Sequence, residues 1–230
     1  MKKKTVLLLA VAGALFLLFV AFTLAVSLVD IATVAYVSGD TAEIGFASLN
    51  QSAFRAIGEN AFWYDLTELL GVIALGVAAV FALVGLYQLL KRKQLFAVDR
   101  EILLLAVFYG LVVAFYVFFE AVAVNYRPIL VEGLLEASYP SSHSMLACCI
   151  FASAPFAARR LVEGRPLRIT VALMCAVLAA LTVVGRLLSG VHWLTDIVGA
   201  VLLSAALVTL YTAMLAFFDE KTNFSSRRRT

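Results

Sequence analysis

The 230-residue chain contains two histidines, His143 and His192. His192 stands four residues before Asp196, a spacing that puts both side chains on one helix face. The carboxylate can then accept a hydrogen bond from one imidazole nitrogen and leave the other as a defined basic lone pair, as a nitrogen nucleophile or general base requires. The plainer reading is a packing Asp196 satisfied by Thr195 or Ser189. Arg127 and Arg186 follow apolar runs at the same end as the histidines, and a planar guanidinium fork suits two oxygens of a phosphate. Each could instead snorkel to lipid headgroups. The segment Tyr139-Pro140-Ser141-Ser142-His143-Ser144 turns into an apolar run. Free N–H groups and the hydroxyls of Ser141 and Ser142 would make an anion site there, or one of the two serines simply caps the helix. Metal binding by Glu120, His143, His192 and Asp196 is the competing chemistry, but two arginines beside a cation are poorly placed, and no metal or other cofactor is expected.

The elements that must hold these residues are membrane helices. The chain is 63% hydrophobic and 14% charged, with a mean hydropathy of +1.00, too apolar for a solvated surface. Spanning ~30 Å of hydrocarbon takes about 20 apolar residues. Six runs qualify: 5–29 with continuation toward Val37, 67–90, 102–124, 143–158, 169–187 and 193–218, the fourth being shortest and containing Pro155. The first run is too long for the ~7–15 residue core of a signal peptide despite Lys2 to Lys4 before it, and is read as a retained helix. Of 18 Lys and Arg, 15 fall on one side if six helices alternate, so both termini are expected in the cytoplasm. Arg55, Arg127 and Arg186 are the exceptions, beside both histidines at the outer face. Trp63, Tyr64, Tyr126, Tyr139 and Trp193 form an aromatic belt at that face. The first outer loop, 38–66, is expected to carry an interfacial helix around Ala53 to Phe62. The expected fold is all-α: a polytopic six-transmembrane-helix bundle, one domain over 1–230, with a flexible cytoplasmic tail over 219–230. The basic residues thus serve topology rather than nucleic-acid binding. Cys148, Cys149 and Cys175 lie in apolar runs as small buried hydrophobes.

Three segments together resemble the type 2 phosphatidic acid phosphatase superfamily, which includes membrane lipid phosphate phosphatases and the vanadium haloperoxidases. The family's motif of Ser-Arg, five residues, His, three residues, Asp is matched by Gly185-Arg186, His192 and Asp196, with Gly at the leading Ser. Pro140-Ser141-Ser142-His143 matches Pro-Ser-Gly-His with Ser142 at the glycine. The remaining motif, Lys, six residues, Arg-Pro, is matched by Arg127-Pro128 with Glu120 at the lysine. The resemblance implies His192 as nucleophile, Asp196 as its orienting partner and His143 as acid and then base. It implies Arg127, Arg186 and groups near Ser141 and Ser142 as phosphate binders. Glu120 subtracts charge where the family adds it. On one reading Glu120 pairs with Arg127 along one helix and Arg55 supplies the missing cation; on another the protein is a weakened relative. The implied substrate is a lipid phosphate in a bacterial cell membrane, with the site facing outward. Undecaprenyl pyrophosphate is favoured over phosphatidylglycerophosphate and phosphatidic acid because such a carrier is recycled there. A phosphotransferase using the same phosphohistidine and a non-catalytic lipid-binding or transport protein are the alternatives.

Overall fold

The computed structural model describes residues 2–227. Its helices are α1 (Lys3–Leu28), α2 (Ala47–Ile57), α3 (Ala61–Arg92), α4 (Arg100–Ala121), α5 (Ser142–Ala157), α6 (Arg165–Leu188) and α7 (Leu194–Arg227). Five of them, α1, α3, α4, α6 and α7, are long and apolar enough to cross a membrane. Their outward faces carry Leu17, Leu83, Val107 and Leu173, well exposed, which hydrocarbon tolerates and water would not. The protein is a multi-pass, mostly helical membrane protein.

The fourth apolar run becomes α5, 16 residues long and short of a full span by length. It is the innermost helix, in contact with α3, α4, α6 and α7, and Met145, Ala147, Cys149, Ile150 and Phe151 are buried along it. Protein rather than lipid therefore covers its backbone, so Pro155 near its end is tolerated. Helices α1 and α7 run antiparallel, and the Lys2 N–H and the Thr5 hydroxyl both donate to the Glu220 carboxylate, at 2.7 and 2.6 Å. Lys2 and Glu220 thus lie at one end of the bundle, opposite His143 and His192. Helix α7 is continuous through Arg227, covering much of the tail expected from 219, and 228–230 lie outside the described residues.

Four local expectations change. Helix α1 does not continue toward Val37: it stops at Leu28, and the chain folds back as a hairpin of β1 (Ala32–Ala35) and β2 (Thr41–Ile44). Exposure alternates along both strands, and the β-branched Thr33, Val34, Thr41 and Ile44 with the Ser38-Gly39-Asp40 turn, Gly39 at φ +91°, favour strand pairing over helix there. The outer-loop helix begins at Ala47, not Ala53, because Asp30 accepts the Ser48 N–H at 2.8 Å and caps it from a distance. Helix α4 ends at Ala121, so Arg127 is not helical. It lies on a hairpin-like loop, where its N–H donates to the Glu136 carbonyl at 3.0 Å. The pairing of Glu120 with Arg127 along one helix face therefore fails with the helix that would have carried it.

The hairpin and α2 brace the start of α7. Asn50, fully buried, accepts the Thr195 N–H at 3.2 Å and donates to the Thr195 hydroxyl at 2.9 Å and the Gly45 carbonyl at 2.8 Å. Asn125 in turn accepts the Gly45 N–H at 3.0 Å. A helix start buried in this way needs such partners for its free N–H groups.

Candidate active site

His192 lies in the link from α6 to α7, not in a helix. Gly190 shapes that link: its φ is +75°, and a β-carbon there would stand 2.4 Å from the Gly58 carbonyl oxygen, so only glycine fits. Trp193 anchors the other side, its indole N–H donating to the Tyr126 carbonyl at 2.7 Å and its ring meeting Phe54 edge-on. The His192 side chain is buried, and neither ring nitrogen makes a well-formed hydrogen bond among the described residues, although the Ser138 backbone approaches the ring. Asp196 Oδ2 stands 3.6 Å from its Nδ1, longer than a hydrogen bond, and accepts the Trp193 N–H at 2.9 Å. Backbone thus takes only Oδ2, while Oδ1 is buried without a well-formed hydrogen bond near the side chains of Ser138 and Asn125; neither Thr195 nor Ser189 bonds the carboxylate, which faces the imidazole without yet bonding it. Burial first, then the positive charges of Arg127 and Arg186, hold the His192 imidazole well below its ordinary value. It is neutral at physiological pH, as a nucleophilic nitrogen must be.

Arg186, near the end of α6, is 1% exposed and does not snorkel. Its guanidinium donates to His143 Nδ1 at 2.9 Å and to the Thr67 hydroxyl at 3.2 Å, pairs with Glu68 Oε1 at 3.0 Å, and lies over the Tyr64 ring. Because a guanidinium only donates, His143 Nδ1 carries the lone pair and Nε2 the proton. Nε2 then donates to Glu68 Oε2 at 3.2 Å. The ring packs against α3 at Gly71, where a β-carbon would stand 2.9 Å from His143 Cδ2.

Ser141 caps α5, accepting the Ser144 N–H at 3.5 Å and donating to the Ser144 hydroxyl at 3.1 Å. Ser142, in the first turn, lines a small cavity with His192, Tyr139, Ser138 and Glu120. Arg127 pairs through Nε with Glu136 Oε2 at 3.0 Å. Arg55 stays exposed on α2, where it donates to the Ser52 hydroxyl at 3.3 Å, and the structure does not bring it to the site. Among the described residues, no group of three or more His, Cys, Asp and Glu side chains is arranged to hold a metal.

Glu68, Glu136 and Thr67 are site neighbours that sequence reasoning missed. Glu68 carried a usable signal, a carboxylate at the head of an apolar run, where leaving it unpaired is costly. Glu136 carried none, since its role depends on a loop closing back on Arg127.

Residues 72–219 match the sequence pattern of the PAP2 superfamily. The chain belongs to the PAP2 superfamily. Phosphatidylglycerophosphatase B of Bacillus subtilis (strain 168) is 33% identical over 106 residues, which are 44% of this chain and 48% of that protein. The match thus spans about half the length of that curated relative. The crystal structure of a transmembrane PAP2 type phosphatidylglycerolphosphate phosphatase from Bacillus subtilis aligns with a TM-score of 0.60 at 21% identity, covering 91% of this chain and 96% of that one. At that identity the likeness concerns the fold. The PAP2 match contains Glu120, Arg127, Ser141, Ser142, His143, Arg186, His192 and Asp196, while Arg55, Thr67 and Glu68 precede it.

Proposed function

We propose that this PAP2 protein is a membrane phosphatase that hydrolyses a lipid phosphate through a phosphohistidine on His192. One observation carries the reading: a buried imidazole with two unshared ring nitrogens, held neutral in the field of two guanidiniums, with a carboxylate 3.6 Å behind it. Nε2, the nitrogen away from Asp196, attacks phosphorus in line, and the bond from phosphorus to the lipid oxygen breaks. Asp196 stabilises the charge that develops on the ring. Arg127, Arg186 and the first turn of α5 hold the equatorial oxygens. His143 delivers the proton to the leaving oxygen and then takes one from the water that hydrolyses the phosphohistidine.

As it stands His143 has only its Nε2 proton, and losing that would leave an imidazolate. The acid form needs a proton on Nδ1, the atom Arg186 now occupies. Binding of a phosphoryl group that draws Arg186 onto its own oxygens frees Nδ1 for that proton.

The substrate we favour is a glycerophospholipid monophosphate, phosphatidylglycerophosphate first. The activity named for the Bacillus relative supports it. So does the charge of the site, where Glu68, Glu120 and Glu136 accompany the two arginines and disfavour the second phosphate of a polyprenyl pyrophosphate. We further propose that α5 is a sixth crossing and that the basic end of the bundle is cytoplasmic, which puts the site outside. Glu120 beside His192 favours one other reading, a non-catalytic lipid-binding relative.

Phosphate release from a panel of lipid phosphates, by wild type and His192→Ala in detergent, separates the readings. The expected outcome is release with an acid-labile phosphoenzyme, both lost in His192→Ala. Release that survives in His192→Ala would sink the phosphohistidine route, and no release from any member would leave the binding protein. Transfer that depends on an added alcohol would identify a phosphotransferase.

A further inference from the structure

Glu68 projects from α3 into the cationic corner of the site. Its two carboxylate oxygens are taken separately, Oε1 by Arg186 at 3.0 Å and Oε2 by His143 at 3.2 Å. A bound phosphoryl group offers the same thing to the same donors, two anionic oxygens on one centre for a guanidinium and an imidazole N–H. The Glu68 side chain is 41% exposed, whereas Arg186 is 1% exposed. The carboxylate can therefore swing out to water, while the guanidinium is fixed between Thr67, Tyr64 and His143. In the same arrangement Arg186, held by Glu68, keeps a proton off His143 Nδ1, so the acid form of the ring waits on Arg186 moving to another anion. The clasp is thus a resting arrangement that substrate must open.

We propose that the Glu68 carboxylate occupies, in the resting protein, the subsite for two oxygens of the phosphoryl group, leaves when a phosphate monoester binds, and returns as inorganic phosphate departs. This rests on the phosphatase reading above and adds an internal competitor to it. A protein whose subsite is filled most of the time shows an affinity reduced by the fraction that is open. Removing the carboxylate raises that fraction.

The test is the affinity of the purified full chain in detergent for inorganic phosphate, measured by titration calorimetry for wild type, Glu68→Gln and Glu68→Ala, with thermal midpoints as a check on folding. Both variants are expected to bind phosphate tighter by about threefold or more, the scale of a partly exposed ion pair. The KM for a lipid monophosphate should fall in parallel. Unchanged or weaker phosphate binding in a folded variant overturns the proposal, and Glu68 would then be a positioning residue for His143, seen as a lower kcat without a lower KM. If wild type releases no phosphate from any lipid, the phosphatase reading fails, yet the phosphate titration still decides whether Glu68 competes for the subsite.

Discussion

His192 is a neutral imidazole buried among positive charges, and its pH behaviour follows. Unfolded, it takes a proton near pH 6.5; folded, its value lies well below that. Above about 6.5 the ring is neutral in both states and adds no pH dependence. Below it, the unfolded chain binds a proton that the folded chain refuses, so stability falls as pH drops toward the folded value. The thermal midpoint in detergent should therefore decrease on the acid side of pH 6.5, and His192→Gln should flatten that decrease. An identical acid-side slope in the variant would show that other groups carry it. His192, His143, Asp196 and both arginines were legible in the sequence because ionisable residues are rare in so apolar a chain and these recur at motif spacing. The identity of their partners was not legible. Glu68 comes from α3 and Glu136 from the loop after α4, and no motif spacing ties either to the arginine it meets.

Helix contacts explain one departure from the family pattern. Gly185 replaces the motif's serine where α6 lies against α3, and a β-carbon there would stand 2.6 Å from Thr67 Cγ2 and 3.1 Å from the Trp63 ring. Thr67 is also the hydroxyl that receives Arg186. Gly185→Ser, although it restores the family residue, should push Thr67 aside, loosen Arg186 and lower kcat/KM by about tenfold, the scale of one misplaced charged hydrogen bond. Thr67→Ser removes the obstructing methyl and keeps the hydroxyl, so the double variant should recover most of the loss. A double variant no better than Gly185→Ser would refute this account of the contact. At this scale the apolar runs were readable from length and hydropathy, since a membrane helix satisfies its own backbone. The position of α2 and the end of α4 at Ala121 were not, because capping of Ser48 by Asp30 and pairing of Arg127 with Glu136 join residues well beyond one helical turn.

On the proposed function, the bundle as a whole must let a reactant with long hydrocarbon chains reach His192, which water barely touches. A groove of about 600 Å³ lies between α1 and α4, walled by Phe16, Phe19, Ala114, Phe115, Phe118 and Phe119 among others, with an almost wholly apolar lining. Phe115 and Phe119 also line the cavity that holds His192 and Ser142, so the groove borders that cavity on its membrane side. A chain that stays in hydrocarbon along this route gives up no apolar contact on binding, which suits a lipid tail better than a soluble phosphate. Ala114→Trp would fill the middle of the groove from α4 while leaving the histidines and arginines alone. The displaced tail loses packing against the wall rather than burial from water, and about ten lost contacts at ~0.1 kcal/mol each correspond to about a fivefold rise in KM for a long-chain substrate. A dihexanoyl phosphate too short to reach that depth should keep its KM within about twofold. Equal shifts for both substrates would mean that the indole disturbs the site itself, and the tail would then have to enter between another pair of helices.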